Sequence, residues 1–195
     1  AMGELLRDFV SKGTSESGSE LYESNPGGAP VNVLTAVTKF GGKSAFIGKV
    51  GNDYFGHLLE KTLVKENICV DGLCFDNEAR TTLAFVSLDE TGNRSFSFFR
   101  NPGADYMLRK DEISVGLIEK STIFHFGSLS LTNEPALSST KFAIEIAKRN
   151  NLIISFDPNL REALWDSLEI AKSRILDFLP LVDILKVSEE EFKFI

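Results

Sequence analysis

Within five residues, the stretch IISFDPNLREALW carries Asp157, Asn159 and Arg161. A carboxylate accepts hydrogen bonds from hydroxyls, an amide both donates and accepts, and a guanidinium offers a planar fork to phosphate or carboxylate. The apolar run before Asp157 reads as a buried strand. Pro158 has no N–H, so the ladder ends there and the chain turns outward. Asn159 and Arg161 can then point toward a common ligand, with the arginine suited to its phosphate or carboxylate. The same residues also suit a local Asx turn closed by Asp157, with Arg161 in a surface ion pair.

Other segments offer complementary groups. In NPGGAPVNV, Gly27 and Gly28 precede a helix whose first turn holds Asn32. Paired glycines let backbone approach a ligand closely, and a helix start presents unpaired N–H donors. The spacing is not that of a dinucleotide fingerprint, which ranks an oxidoreductase last. Asp8, after the apolar ELL, can accept two sugar hydroxyls or simply be solvated. Arg94 and Arg100 flank the aromatic run SFSFF, where an arginine also serves to protect a sheet edge. In SEEE, Ser188 and Glu191 have capping-box spacing.

These groups need a scaffold. Val33, Ala36, Val37 and Phe40 follow helical spacing after Pro30, with Gly41 as the stop. SAFIG is a short buried strand, Phe55, Leu58, Leu59 and Leu63 mark a helix, and TIFHFG is the next strand. A helix over about 134–150 leads to the strand LIISF, and one over 168–179 leads to VDILKV. Wholly apolar strands alternating with helices predict an α/β core around a mostly parallel sheet. Two excursions, at about 9–25 and 81–103, break the alternation and read as a small β-sheet or as surface hairpins, the second around a D-E-T-G turn. Ligands of such sheets bind beyond the carboxyl ends of the strands. Ser128, the Asp157–Arg161 stretch, Lys186 and Ser188 all fall there.

Composition narrows the partners. The 195 residues carry 21 basic and 28 acidic side chains, and a net charge of −7 repels phosphate backbones and anionic lipid. No apolar run reaches the roughly 18 residues needed to span a bilayer, and AMGELLRDFV is not a signal peptide. Cys69 and Cys74, the two cysteines, lack the second pair of a zinc site and read as reduced, buried thiols of a cytoplasmic protein.

Taken in order, GELLRDF, GGAPVNV, GKVGNDYFG, RTTLAFV, FRNPGAD, FDPNLR and LKVSEEE resemble the ribokinase-like (phosphofructokinase-B) carbohydrate kinases, and fructokinases most of all. The resemblance implies one three-layer α/β/α domain over 1–195, a small β-sheet lid that often pairs two subunits, and ATP-dependent phosphorylation of a sugar hydroxyl. The most favoured reaction is fructose to fructose 6-phosphate. It implies that Asp8, Gly27, Gly28, Asn32 and Ser128 line the sugar site and that Arg94, Phe98 and Arg100 close over it. Asn159, Arg161, Lys186 and Ser188 fall on the phosphate side. Arg161 offsets phosphate charge, and Glu191 reaches magnesium through water.

The sequence also departs from the family pattern. Ser188 stands for the usual asparagine, Arg7 for an aliphatic residue and Leu34 for a small one. The family's Gly-Ala-Gly-Asp segment, with the aspartate that acts as base, does not occur in these residues. The expectation is therefore an incomplete kinase, inactive by itself, whose partners are a small sugar, ATP and Mg2+. A 2-keto-3-deoxygluconate kinase or a noncatalytic sugar-binding regulator are the alternatives.

Overall fold

The computed structural model describes residues 1–88 and 94–195, without the side chains of residues 88, 94 and 95. The D-E-T-G turn lies outside the described residues. In chain order the elements are β1 (Leu6–Thr14), β2 (Glu20–Gly27), α1 (Ala29–Lys39), β3 (Ser44–Gly51), α2 (Tyr54–Lys65), β4 (Ile68–Asp76), β5 (Leu83–Leu88) and β6 (Arg94–Phe99). There follow α3 (Val115–Glu119), β7 (Ile123–Gly127), α4 (Ala136–Arg149), β8 (Ile153–Asp157), α5 (Leu168–Phe178), β9 (Ile184–Leu185) and α6 (Glu189–Phe194).

The core sheet is parallel throughout. β3 pairs with β4, β7 with β8, and β8 with β9. A single residue joins the two halves: Met2 bridges Ile47 of β3 and Phe126 of β7, both in parallel. Its N–H donates to the His125 carbonyl at 2.8 Å, and its side chain is wholly buried. Periodicity could not find this central position, because one bridging residue has no period.

Alternation along β3 sends neighbouring side chains to opposite faces. Phe46 and Val50 pack with Val31 and Leu34 of α1 and Leu59 and Leu63 of α2. Ile47 lies in the other cluster, with Phe124, Phe126, Ile154 and Phe156 of the strands and Ile144, Ala147, Ile175 and Phe178 of α4 and α5. Helices thus pack on both faces, giving a three-layer α/β/α arrangement. On the α1 side, the β7–β9 half of the sheet shows Ile123, Ile153 and Ile184 to solvent.

Helix boundaries follow local chemistry. Pro30 occupies the first turn of α1, where no intrahelical N–H partner is lost. The Asp53 side chain caps α2 by accepting from Gly56 N–H at 2.9 Å, and Ser167 caps α5. Asp53 also accepts from the Thr81 N–H at 2.9 Å, which ties α2 to the start of β5.

The two excursions form one four-stranded sheet, ordered β2-β1-β5-β6, with β1 and β5 parallel and the outer pairs antiparallel. Leu6, Asp8, Phe96 and Phe98 face inward, while Phe9, Tyr22, Phe85 and Phe99 form an aromatic ladder on the other side.

Two expectations need correction. The thiols of Cys69 and Cys74 are half-buried rather than buried, because NICVDGLC is the edge strand β4, where Asp71 and Gly72 interrupt the apolar pattern. The strand expected over VDILKV pairs only at Ile184 and Leu185.

Candidate active site

A cavity of about 470 Å³ lies beyond the carboxyl ends of the core strands, beneath the inner face of the small sheet. Asp8 and Phe98 come from that sheet, Gly28 and Asn32 from the start of α1, and Asn159, Arg161 and Lys186 from loops after β8 and β9. The residues are widely separated in sequence and meet because parallel strands all end on the same side.

The glycine turn is dictated by crowding. Gly28 has φ 124°, a conformation that side chains rarely adopt, and a Cβ there would lie 2.4 Å from the Glu4 carbonyl oxygen. A Cβ on Gly27 would lie 2.4 Å from Asp8 Oδ2. Gly27 therefore leaves room for the Asp8 carboxylate without itself lining the cavity.

Burial raises the Asp8 carboxyl above the ordinary range, and the positive charges of Arg161 and Arg7 oppose that shift. Arg7, the departure from an aliphatic residue, is buried and donates to Ser24 Oγ at 2.7 Å and to the Ser24 carbonyl at 2.8 Å. Its hydrogen bonds cross-link β1 and β2. Leu34 is absorbed into the core.

Downstream of β8 the Asx turn forms: Asn159 N–H donates to Asp157 Oδ1 at 3.1 Å, with Asn159 at φ 42°. The surface ion pair read for Arg161 does not form among the described residues. Its guanidinium donates to the Leu160 carbonyl and lies 5.4 Å over the Phe96 ring. Lys186 instead pairs with Asp157, 3.1 Å from Oδ2, while its side chain stays largely exposed.

Ser188 and Glu191 sit in an adjoining cleft of about 260 Å³ that shares Asn159, Arg161 and Lys186 with the cavity's rim. The capping box forms, with Ser188 Oγ accepting from Glu191 N–H at 3.2 Å and Glu191 Oε2 from Ser188 N–H at 2.8 Å. Glu191 Oε1 accepts from Leu160 N–H at 2.7 Å, so one carboxylate ties α6 to the loop carrying Arg161. Burial pushes this carboxyl up, and those backbone donors outweigh it, holding it below the usual range.

Two expected sugar contacts, Arg100 and Ser128, stand elsewhere. Arg100 is buried in an ion pair with Asp105, 2.6 Å from Oδ2, and also donates to Thr132 Oγ1 and the Leu129 carbonyl. It borders a second chamber of about 410 Å³ rather than the main cavity. Ser128 is fully buried, does not line the cavity, and its Oγ has no hydrogen-bond partner among the described residues. Arg94 begins β6, and its side chain lies outside the described residues.

Sequence reasoning passed over Glu4 and Phe96, which do line the cavity. A carboxylate set in the apolar run MGELL was the available signal for Glu4. The described residues contain no group of three or more His, Cys, Asp or Glu side chains able to hold a metal.

The family model for pfkB family carbohydrate kinases matches residues 2–195. The chain belongs to the pfkB family of carbohydrate kinases. It is 47% identical over its whole length to Probable fructokinase-2 of Arabidopsis thaliana and 46% identical to Fructokinase-1 of Zea mays. Among solved structures, fructokinase of Xylella fastidiosa superposes with a TM-score of 0.94 at 36% identity, over 99% of this chain. Fructokinase of Vibrio cholerae O395, in its fructose, ADP and calcium ion bound form, superposes at 0.85 with 37% identity. The pfkB chain described here spans about 60% of the length of these relatives.

Proposed function

We propose that the protein serves ATP-dependent phosphorylation of fructose to fructose 6-phosphate. The observation that carries this reading is the single cavity with Asp8 and Asn32 at one part of its wall and Arg161 and Lys186 at another. Asp8 accepts two sugar hydroxyls, and Asn32 both donates to and accepts from neighbouring ones. Phe96 and Phe98 close the apolar face of the ring against water. Fructokinases are among the relatives in sequence and in structure, and one was solved with fructose and ADP, another with ATP.

Phosphoryl transfer relies on positioning and charge neutralisation. Arg161 offsets charge on the transferred phosphoryl, and Lys186 and Asn159 orient the phosphates. Glu191 would act on a metal indirectly, through water, while each of its oxygens keeps its bond from a backbone N–H. Magnesium, carried in with ATP, supplies further neutralisation of phosphate charge. The proton of the attacking hydroxyl is assigned to the aspartate of the family's Gly-Ala-Gly-Asp segment, which these residues do not contain.

The aromatic ladder of the small sheet is assigned to pairing two subunits through the lid. The free cysteines fit a reducing cytoplasm. No helix among the described residues is long and apolar enough to cross a membrane.

A calorimetric sugar panel tests the substrate assignment. Fructose is expected to bind more tightly than glucose or 2-keto-3-deoxygluconate, and a preference for the latter would overturn it. Incubated with ATP, Mg2+ and fructose, this polypeptide alone is expected to release negligible ADP. Robust fructose-dependent ADP release would overturn the assignment of the base.

A further inference from the structure

Glu4 occupies the link between the Met2 bridge and β1 and is 3% exposed. Its Oε1 accepts from the N–H of Ala29, the first residue of α1, at 2.7 Å. Its own carbonyl oxygen packs against Gly28 so closely that no side chain fits there. One residue therefore grips the glycine turn from both main chain and side chain, and the turn lines the same cavity as Asp8 and Asn32.

The other oxygen, Oε2, is buried and has no hydrogen-bond partner among the described residues. It lies toward β7, where a Cβ built on Gly127 would be 3.9 Å away, and the adjacent Ser128 also keeps an unpartnered Oγ. An unpaired buried carboxylate is costly, so the neutral acid is the form this environment favours. The charged groups around it are Asp8 on β1, Asp157 on β8, Arg161 and Lys186 on the following loops, and the Arg100–Asp105 pair. His125 of β7 is the titratable neighbour across the Met2 bridge. Burial is the largest influence on the Glu4 carboxyl and raises it to about 7, outweighing the backbone N–H groups of Glu4 and Ala29, which favour the charged form, with Asp105 adding to the rise and Arg100 opposing it.

We infer that Glu4 is a positioning residue of the pocket: as the neutral acid it holds the Gly27–Gly28 turn and the start of α1 in the ligand-gripping geometry, and its ionisation loosens that grip. The inference rests on the reading of the cavity as a sugar site. It makes sugar affinity depend on pH through a group that need not touch the sugar. Ionised, Glu4 carries a charge whose free oxygen recruits donors or water into the wall behind Gly28, at the expense of the packing that places Asn32.

Two variants separate this role from simple packing. Glu4→Gln keeps the size and an oxygen to accept from Ala29 N–H but cannot ionise; Glu4→Ala removes both. Fructose affinity of the wild type, measured by calorimetry from pH 5.5 to 8.5, is expected to fall about tenfold above pH 7. Glu4→Gln is expected to show a flat profile, and Glu4→Ala to bind weakly throughout. A Gln variant that keeps the wild-type fall, or an Ala variant that binds like the wild type, overturns the inference.

Hydrogen exchange at the Ala29 amide decides the clamp without ligand. Its protection factor is expected to drop in Glu4→Ala and to persist in Glu4→Gln; equal protection in all three proteins overturns the clamp. Failure of the wild type to bind fructose at any pH would overturn the sugar reading, while the exchange measurement still decides the role of Glu4.

Discussion

Asp8 and Arg161 bring opposite charges to one cavity, and each is usable because, among the described residues, neither is held in a fixed ion pair. Replacing Asp8 by Asn preserves its shape but removes the charge that strengthens hydroxyl hydrogen bonds. Fructose affinity is expected to fall at least about tenfold by calorimetry. Glu4 and His125 give a residue-level prediction about stability. The Glu4 carboxyl is raised to about 7, so the folded state holds its proton more tightly and stability is lost as pH rises from about 4.5 to 7. His125 is lowered to about 4, first by burial, so it costs stability in the opposite sense, as pH falls from 6.5 to about 4. The two slopes oppose each other over most of this window. Glu4→Gln is therefore expected to gain on the wild type by up to about 3 kcal/mol between pH 4.5 and 8, read from urea midpoints. Equal midpoint differences at both ends would contradict it. The Asp157–Arg161 set was legible in sequence because its three groups are local. Glu4 was not, since only the contact with Ala29 and Gly28, 24 to 25 positions away, shows what it does.

Among the elements, the start of α1 is the most constrained. Gly28→Ala forces a Cβ onto the Glu4 carbonyl in a backbone conformation that disfavours it, at a cost of about 2 kcal/mol or more in denaturant unfolding. Loss of fructose binding should accompany it, because the turn carries the cavity wall. At the other end of the chain, Ser188→Ala removes the cap of α6 and is expected to cost about 1 kcal/mol while leaving fructose affinity within about twofold. A large loss of affinity would give Ser188 a direct ligand role instead. Element types were readable where the apolar period is regular, as in α1, framed by Pro30 and Gly41, and in α4 and β8. The pattern failed at β4, whose edge position needs no continuous apolar run, and at the Met2 bridge, whose role exists only between two other strands.

For the whole molecule, two layers of helices fix a parallel sheet whose strand ends all open under the four-stranded sheet. That general architecture followed from the alternation of strands and helices. The parallel pairing of Leu6–Thr14 with Leu83–Leu88 did not, because its partners, such as Arg7 and Leu83, are 76 positions apart. On the outer face of that sheet Phe99 is 63% exposed beside Phe85, and Tyr22 is 42% exposed. Sedimentation is expected to show a dimer that Phe99→Asp converts to monomer with unchanged far-UV circular dichroism; a wild-type monomer would contradict lid-mediated pairing. The central claim is that one cavity holds a sugar at Asp8 and Asn32 and its phosphorylated end at Arg161. Calorimetric affinities of Arg161→Ala for fructose and for fructose 6-phosphate test it most directly. The account predicts at least about tenfold weaker binding of fructose 6-phosphate with fructose changed less than about threefold, and equal losses for both ligands, or none, would contradict it.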